Sequence, residues 1–330
     1  MPVRKVQLQA HGRPPVVVDG DEPPAPDDGQ CLVAVRAAPI TPLDVLCATG
    51  TSYFGAPALP YVPGVQGVGT VVAHPRLAEG TLVWFPTSAG MAPGDGSMSS
   101  AVVLPADAVV PLPDDTVAAT EVAALGLSAV AAWMVLTWRA ALRPDEQVLV
   151  LGAGGVVGQV AVQAARLLGA RRVVAAARSD RARQRAETCG ADVVVPLQDG
   201  EPVDALTDRL REALDGPLDV VVDPLCGAPA SAAARLLGEG GRLVNLGSSA
   251  GPTMEVDSAS LRSRTAAVLG YTNNAITSEQ RDAALLAVLG HAAAGRLRVD
   301  HEVVALDDVG EAWARQADGT ATTRIVVDLA

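Results

Sequence analysis

The stretch LVLGAGGVVGQVAVQAARLLGA, residues 149–170, decides the fold of this chain. A short apolar run leads into a cluster of glycines, and a stretch with helical apolar patterning follows. This order predicts a strand, a tight turn and a helix. Because such a turn directs backbone N–H groups and the positive end of the helix dipole at one point, it suits a bound phosphate.

The glycines match the dinucleotide-binding pattern G-x-G-x-x-G only in part. Ala153, Gly155 and Gly158 occupy its three positions, whereas a second frame of Gly152, Gly155 and Gly158 is complete. A lone glycine pattern also fits an ordinary tight turn. The context favours nucleotide binding, because a strand precedes the turn, a helix follows it, and strands and helices alternate beyond it.

Two kinds of sequence divide the chain. Up to about residue 120, short β-like runs such as QCLVAVRAA and VQGVGTVVAH are broken by Pro and Gly, which predicts a β-rich domain or barrel. Farther on, apolar strands such as LDVVVD and GRLVNL alternate with helical patterns, which is typical of βαβ units around a parallel sheet. The 330 residues are enough for two domains, and the last stretch is expected to return to the first.

The second strand of the parallel sheet carries the signal for the type of cofactor. It ends at Ala177, and Arg178, Ser179 and Arg181 follow. An acidic residue at this tip would bind a ribose 2′-OH and repel a 2′-phosphate, whereas a small residue, a guanidinium and a hydroxyl would hold that phosphate. We therefore expect NADPH rather than NADH, with Asp180 as the N-cap of the next helix. The alternative is that these arginines form a solvated helix face and bind no phosphate.

Composition excludes several classes of partner. A net charge of −12 argues against nucleic acid and anionic membranes. The opening MPVRKVQLQA has no apolar signal region, so a cytoplasmic location is expected. The uncharged segment 122–138 falls short of the roughly 20 residues of a membrane span and is expected to be a buried helix. The cysteines and histidines are scattered without metal-ligand spacing.

Taken in order along nearly the whole chain, these motifs resemble the medium-chain dehydrogenase/reductase superfamily, on its zinc-free, zeta-crystallin-like quinone oxidoreductase branch. APITPLDVLCATG is similar to the family's N-P-x-D helix start, LPYVPGVQGVGTVV to its P-G-x-x-x-x-G-x-V segment, and GRLVNLGSSAG to the fifth strand of its nucleotide domain. The resemblance implies an α/β protein. It would have a GroES-like β-rich catalytic domain, residues 1–122 and 275–330, and a doubly wound parallel-sheet Rossmann domain, residues 123–274.

The resemblance also implies site residues. Thr41 and Tyr53 are the catalytic candidates, because the family places an asparagine near the nicotinamide at the first position and several members place a tyrosine at the second. Ordinary cap and loop roles are the alternative for both. The cofactor-binding candidates are Thr41, Ser128, Gly154, Gly155, Val156 and Val157, the 2′-phosphate group Arg178, Ser179 and Arg181, the nicotinamide group Leu246, Gly247 and Ser248, and the C-terminal Arg324.

A catalytic zinc ion is not expected. The zinc-dependent relatives place Cys or Asp, His or Glu, and a further Cys at three positions that here hold Thr41, Val65 and Ala124. None of these binds zinc well. The resemblance therefore implies metal-free hydride transfer from NADPH to a quinone or an α,β-unsaturated carbonyl, with Tyr53 or water as the proton donor.

Two other functions remain open from the sequence. GSSAG, residues 247–251, satisfies the G-x-S-x-G pattern of serine hydrolases, although Pro252 and the residues after it do not suggest the helix that this pattern needs. A non-catalytic NADPH-binding protein would keep the glycine turn and Arg178 without turnover.

The expected partners are a small-molecule substrate and a second copy of the chain. RTAAVLGYT, residues 264–272, predicts the last strand of the nucleotide-domain sheet. The resembling family joins two such edges in a homodimer, and a bare apolar edge invites that pairing. Coverage of the edge by the chain's own helices is the alternative.

Overall fold

The computed structural model describes residues 3–113 and 117–330. The strands, in chain order, are β1 (Val3–Gln7), β2 (Val16–Gly20), β3 (Gln30–Ile40), β4 (Gln66–Ala73), β5 (Leu82–Pro86), β6 (Ala101–Pro105), β7 (Val110–Pro111), β8 (Gln147–Leu151), β9 (Arg172–Ala177), β10 (Val193–Pro196), β11 (Leu218–Asp223), β12 (Leu237–Asn245), β13 (Ala267–Gly270), β14 (His301–Ala305) and β15 (Arg324–Asp328). The α-helices are α1 (Pro42–Ala48), α2 (Ala119–Met134), α3 (Val156–Leu167), α4 (Asp180–Thr188), α5 (Val203–Ala213), α6 (Gly227–Ala234), α7 (Ser258–Arg264), α8 (Ser278–Ala293) and α9 (Val309–Ala317).

The chain forms two compact units, Met1–Leu127 with Val299–Ala330, and Ser128–Arg298. The sequence analysis places the last boundary near residue 275, whereas segment 275–298 belongs to the second unit here. Gln163 of α3 holds the end of this segment: its Nε2 donates to the Arg298 carbonyl at 2.7 Å, and its Oε1 accepts from the Arg298 N–H at 3.0 Å.

The first unit is built on a mixed sheet with the strand order β14-β15-β3-β4-β5-β7, and β6 also pairs with β3. All of these pairs are antiparallel except β14 with β15. Alternate residues of β3, Cys31, Val33 and Val35, are buried in one core with Trp313 of α9. This alternation is typical of a sheet with one face on the core.

The second unit is a six-stranded parallel sheet with the order β10-β9-β8-β11-β12-β13. Every residue of β8 is buried, as expected for a central parallel strand covered on both faces. Leu206 and Leu210 of α5 pack in the same core as Leu149 of β8. The fold prediction, a GroES-like β-rich domain plus a doubly wound Rossmann domain, is confirmed.

The stretch Ala119–Arg139, α2 with the π-helical turn Val135–Arg139, is long and apolar enough to cross a membrane by length and composition alone. Of its most apolar window, 67% is buried inside the protein, as in a core helix. Gly126 interrupts it with non-helical angles, φ 32° and ψ −133°. The buried helix expected at 122–138 is therefore present, but broken in two at this glycine.

Candidate cofactor and active site

The glycine turn joins β8 to α3. Gly152 adopts a φ of +63°, and the next residue, Ala153, donates its N–H to the Ala176 carbonyl of β9 at 3.0 Å. Gly155 is the N-cap of α3 and has no side chain with which to cap the helix. The first turn, beginning with Val156 and Val157, therefore has N–H groups without a side-chain cap, the arrangement that suits a phosphate.

Two glycines of the turn are required by close approach of neighbouring atoms. A Cβ on Gly154 would lie 2.3 Å from the Cβ of Ala182 in α4, and one on Gly158 would lie 2.4 Å from the Gly152 carbonyl oxygen. A Cβ on Gly155 would find no other atom nearer than 3.6 Å. The turn is thus packed against α4 on one side and open beside its cap, so the residues present fit a bound pyrophosphate.

Arg178 and Ser179 follow β9 at the same edge of the sheet. The Arg178 side chain is 73% exposed, and its Nη1 lies 3.5 Å from a carboxylate oxygen of Asp199. Ser179 is the N-cap of α4, where its Oγ accepts from the Ala182 N–H at 3.2 Å. Arg181, near the start of α4, is exposed. Arg178, Ser179 and Arg181 thus follow the tip of β9 closely in the chain, and all three are exposed.

The expected N-cap role of Asp180 is wrong. Ser179 is the cap, and Asp180 is the first residue of the helix, where its carboxylate pairs with Arg183. Arg183 also donates to the Arg178 carbonyl at 2.7 Å. The acid is therefore engaged by its own helix, because i, i+3 side chains meet on a helix surface.

The carboxyl ends of β11 and β12 are joined by a pair of polar side chains that the sequence analysis missed. Asp223, fully buried, accepts from Asn245 Nδ2 at 2.7 Å and from the Cys226 N–H at 2.8 Å. Burial raises the pKa of Asp223, although these hydrogen bonds act in the opposite direction. Asn245 also donates to the Gly247 carbonyl at 2.8 Å and so fixes the segment with Leu246 and Gly247.

Gly247 lies against the β11 end, since a Cβ there would be 2.6 Å from the Pro224 carbonyl oxygen. Leu246 is half-buried and Ser248 is exposed. Together with the glycine turn and the β9 tip, these residues follow three strands of one parallel sheet, β8, β9 and β12. They share the carboxyl edge, where open α/β sheets bind their ligands.

In the first unit, Thr41 caps α1 and its hydroxyl is engaged. Oγ1 donates to Asp44 Oδ2 at 2.6 Å, and the Asp44 N–H donates back to Oγ1 at 3.2 Å. The other carboxylate oxygen of Asp44 accepts the N–H groups of Gly64 and Val65 at 3.1 and 2.9 Å. Burial raises the pKa of Asp44 against these hydrogen bonds. Thr41 is thus a structural cap whose hydroxyl proton is directed at Asp44.

Arg324, the expected C-terminal cofactor contact, is only 6% exposed. Its Nη1 donates to the Ile40 carbonyl at 3.0 Å, beside Thr41. Burial lowers the pKa of Arg324 to about 10, while the charge of Asp44 acts in the opposite direction. The structure therefore brings Thr41 and Arg324 together in the interior of the first unit.

Tyr53, the other catalytic candidate, is 79% exposed. Its ring packs against Phe54, with 4.2 Å between the ring centroids. The Phe54 N–H donates to Ser52 Oγ at 3.2 Å, which fixes the turn that carries both rings. Ser128, in contrast, is half-buried in α2, just after the break at Gly126.

Comparison with known proteins identifies the family. The model of the alcohol dehydrogenase GroES-like domain matches residues 27–114, and the model of the zinc-binding dehydrogenase matches residues 156–288. The chain belongs to the medium-chain dehydrogenase/reductase superfamily.

Relatives of this medium-chain dehydrogenase/reductase include a much longer protein. The chain is 32% identical to a subunit of the phenolphthiocerol/phthiocerol polyketide synthase of Mycobacterium tuberculosis over 92% of its own length, but it spans 14% of that protein. It is 28% identical to the quinone oxidoreductase of Mus musculus, over 78% of this chain and 76% of that protein.

A solved structure of the quinone oxidoreductase from Thermus thermophilus, described with its NADPH complex, superposes with a TM-score of 0.80 at 27% identity. The match covers 98% of this chain and 99% of the other. The chain is accordingly assigned to a superfamily of oxidoreductases, to which the two quinone oxidoreductases also belong.

The three metal positions of the zinc-dependent relatives lie in the interior of the first unit. Thr41 is 5% exposed, Val65 1% and Ala124 fully buried. Within the described ranges, 3–113 and 117–330, no group of three or more His, Cys, Asp or Glu side chains could hold a metal ion. The hydrolase pattern also lacks its helix: Ser249 is exposed, and the next helix, α7, begins at Ser258.

The sequence analysis missed the polar groups that hold the site segments in place. Asp44 and Asp223 are both buried at the ends of hydrophobic segments, and each accepts hydrogen bonds from backbone N–H groups. Asp44 is the acidic position of the quoted N-P-x-D helix start, and Asp223 directly follows an apolar strand, but neither was assigned this role. Asn245, placed by the register of β12 beside β11, gave no signal of its own.

Proposed function

We propose that this chain is an NADPH-dependent reductase that transfers hydride to a quinone or an α,β-unsaturated carbonyl without a metal ion. The observation that carries the proposal is the tip of β9. Arg178 stands exposed there and Ser179 caps α4, both at the sheet edge that the glycine turn shares. A planar guanidinium can bind a phosphate in bidentate fashion, which suits a 2′-phosphate.

The remaining cofactor contacts are assigned from the same edge. Gly154, Gly155, Val156 and Val157 would hold the pyrophosphate through backbone N–H groups, since no side chain caps α3. Leu246, Gly247 and Ser248 would line the nicotinamide, and Asn245 fixes their segment through the Gly247 carbonyl. Bound NADPH supplies the hydride, and the protein supplies position and a polar environment for charge that develops on oxygen.

Metal independence is supported by the chemistry of the three relevant positions. Val65 and Ala124 have aliphatic side chains, and Thr41 directs its hydroxyl proton at Asp44. An acceptor that is already electron-poor, such as a quinone or an enone, needs no Lewis acid to receive a hydride. Similarity to the mouse and Thermus thermophilus quinone oxidoreductases supports the same substrate class.

The proton that completes the reduction would come from Tyr53 or from water. Tyr53 is the stronger candidate of the two proposed side chains, because its ring is exposed while the Thr41 hydroxyl is engaged. A phenol that donates to the substrate oxygen acts as a general acid, a role worth roughly 10²–10⁴ in rate. Tyr53→Phe should therefore lower kcat by that order, and an unchanged kcat would assign the proton to water.

The decisive experiment follows NADPH consumption by the purified protein with a panel of quinones and enones. Turnover with at least one acceptor, unchanged after treatment with a chelator, is the expected result. Loss of turnover on chelation, restored by zinc, would overturn metal independence. NADPH binding without turnover on any acceptor would instead support the non-catalytic alternative.

Cofactor preference is tested separately by fluorescence titration with NADPH and NADH. Arg178→Ala should weaken NADPH binding by about 1.5–3 kcal/mol, the value of a charged hydrogen bond, and leave NADH binding nearly unchanged. Asp199→Asn should tighten NADPH binding, because it removes the carboxylate that lies 3.5 Å from Arg178. The exposed Arg262 of α7 provides the control, Arg262→Ala. Equal or tighter binding of NADH by the unmodified protein would contradict the assignment.

A further inference from the structure

A cavity of about 340 Å³ lies within the second unit, away from the proposed cofactor edge. Its lining comes from segments that precede or begin β11, β12 and β13, so it sits at the amino edge of the parallel sheet. The glycine turn and the β9 tip occupy the carboxyl edge. The volume lies in the range of small-molecule sites, roughly 300–1,000 Å³. The lining residues are Arg211, Leu214, Gly216, Arg235, Leu236 and Arg264.

Half of the lining residues are arginines, in a chain whose net charge is −12. Arg264 is held in place, because its Nη1 donates to the carbonyls of Arg235 and Leu237 at 2.7 and 2.9 Å. These carbonyls follow the C-terminal end of α6. Within the part of the chain that the structure describes, Arg264 pairs with no carboxylate, so its charge is not neutralised by a neighbouring acid.

The other two arginines have only exposed acids as partners. Arg235 pairs with Asp204, whose side chain is 88% exposed, and Arg211 pairs with Asp208, whose side chain is 67% exposed. Exposed ion pairs of this kind are weak and are screened by water and salt. An incoming anion of higher charge can therefore replace either carboxylate.

The rest of the wall is apolar or backbone. Leu214 and Leu236 supply side chains, and Gly216, with a φ of +87°, leaves room beside it. A Cβ on Gly216 would lie 3.7 Å from Nη2 of Arg171, which donates to the Asp215 carbonyl at 2.8 Å. Arg171 thus lies close to Gly216, where it also pairs with the exposed carboxylate of Asp215 at 3.8 Å.

We propose that this cavity binds a small phosphate-bearing anion through Arg211, Arg235 and Arg264. Guanidinium groups match phosphate oxygens with paired N–H donors, and three arginines lining one cavity favour a multiply charged ligand over a single carboxylate. The leucines provide contact for an organic part of such a ligand. The site is distinct from the one assigned to NADPH, since the two lie at opposite edges of the sheet, and it does not depend on the proposed reductase activity.

The test is isothermal titration calorimetry of the full chain with inorganic pyrophosphate, with sodium chloride at matched ionic strength as the blank. Saturating NADPH is present in every titration so that the glycine turn is occupied, and under these conditions we expect one pyrophosphate per chain. Arg264→Gln and Arg211→Gln should each weaken binding by roughly tenfold, the loss of a charged hydrogen bond. Asp204→Asn and Asp208→Asn should tighten it, because each removes a competing carboxylate. Arg262→Gln, on the same helix as Arg264 but outside the cavity, should leave binding unchanged.

Three results would overturn the proposal. The first is no binding of pyrophosphate at millimolar concentration. The second is equal weakening by Arg262→Gln, which would indicate diffuse charge attraction. The third is loss of binding in Arg178→Gln with retention in the cavity variants, which would place the anion at the β9 tip. Arg211 is 59% exposed, so Arg211→Gln keeps the test decisive if Arg264→Gln fails to fold.

Discussion

Glu146, just before β8, is a residue whose ionisation is tied to the fold. Its side chain is 8% exposed, and it accepts two hydrogen bonds from Arg242 at 2.9 and 2.8 Å and one from Arg143 Nη2 at 2.7 Å. Burial alone raises its pKa, but the hydrogen bonds from Arg242 and Arg143 outweigh burial and lower the pKa of Glu146 to about 2. The charged carboxylate is thus favoured by folding.

We expect the hydrogen bonds of Glu146 with Arg242 and Arg143 to make the stability of the protein depend on pH in the acid range. The folded pKa lies below the unfolded value of about 4.3, so the contribution is present above that value and is lost as pH falls towards 2. Glu146→Gln should lose about 3 kcal/mol at neutral pH and show a flatter decline in acid. Urea unfolding at a series of pH values measures this, with the exposed Glu187→Gln as control. An equally steep decline in Glu146→Gln would contradict it.

Cys226 carries backbone strain that glycine would remove. It precedes α6 with φ 57° and ψ −153°, a region that is nearly restricted to glycine, and it is 5% exposed. Cys226→Gly should therefore be more stable than Cys226→Ala by about 1–2 kcal/mol, although glycine is ordinarily the less stable of the two.

Thermal unfolding of both Cys226 variants measures the difference. Cys31 provides the matched control, because it is fully buried in β3 without a positive φ. At this position Cys31→Ala should be more stable than Cys31→Gly. If the alanine variant unfolds at a higher temperature than the glycine variant at both positions, Cys226 is not strained.

At the scale of elements, the break in α2 is held by one buried amide. Gln66 of β4 accepts from Trp84 Nε1 of β5 at 3.0 Å and from the Leu127 N–H at 2.7 Å. A Cβ on Gly126 would lie 1.9 Å from the same oxygen. Gln66 therefore joins two strands to the helix at the point where the helix is interrupted.

Two Gly-to-Ala substitutions in helices should have opposite effects. Gly126→Ala is expected to destabilise the protein by more than about 2 kcal/mol. The added Cβ displaces the Gln66 amide, and the positive φ at this position is unfavourable for alanine. Gly290→Ala in α8, with no atom within 4 Å of the added Cβ, should stabilise it by about 0.4–1 kcal/mol. Urea unfolding midpoints measure both, and a neutral Gly126→Ala would contradict the role of Gln66.

At the scale of the whole molecule, β13 is an edge strand: among the described residues it pairs with β12 alone. Val268 and Leu269 are half-buried, and Trp138, 42% exposed, contacts Tyr271 just beyond the strand. Following the family resemblance, we propose that two β13 strands pair across a two-fold axis in a homodimer.

Light scattering at micromolar concentration should give twice the mass of one chain. Val268→Pro, which removes a strand N–H, and Leu269→Lys, which charges the edge, should both shift the protein towards monomer. Val194→Lys, on the opposite edge strand β10, is the control and should leave the dimer intact. A monomer mass for the unmodified protein would end the proposal.

The sequence by itself determined the alternation of strands and helices in the second unit. It also determined that a strand, a glycine turn and a helix follow one another at residues 149–170. The sequence placed Arg178 and Ser179 directly after β9, although it assigned the N-cap of α4 to Asp180, one residue beyond the actual cap, Ser179. Periodicity and capping act over a few residues, so a single sequence carries them. The last domain boundary was less accessible, since contacts such as that of Gln163 with Arg298 join positions 135 residues apart.

Only the tertiary structure decided which polar groups are buried together. Asp44 accepts from the Gly64 N–H 20 residues away, and Arg324 donates to the Ile40 carbonyl 284 residues away. The cavity of arginines likewise draws Arg211, Arg235 and Arg264 from three separate helix ends. Such encounters depend on strand order and packing, because burial selects partners by position in space, and no local pattern encodes that position.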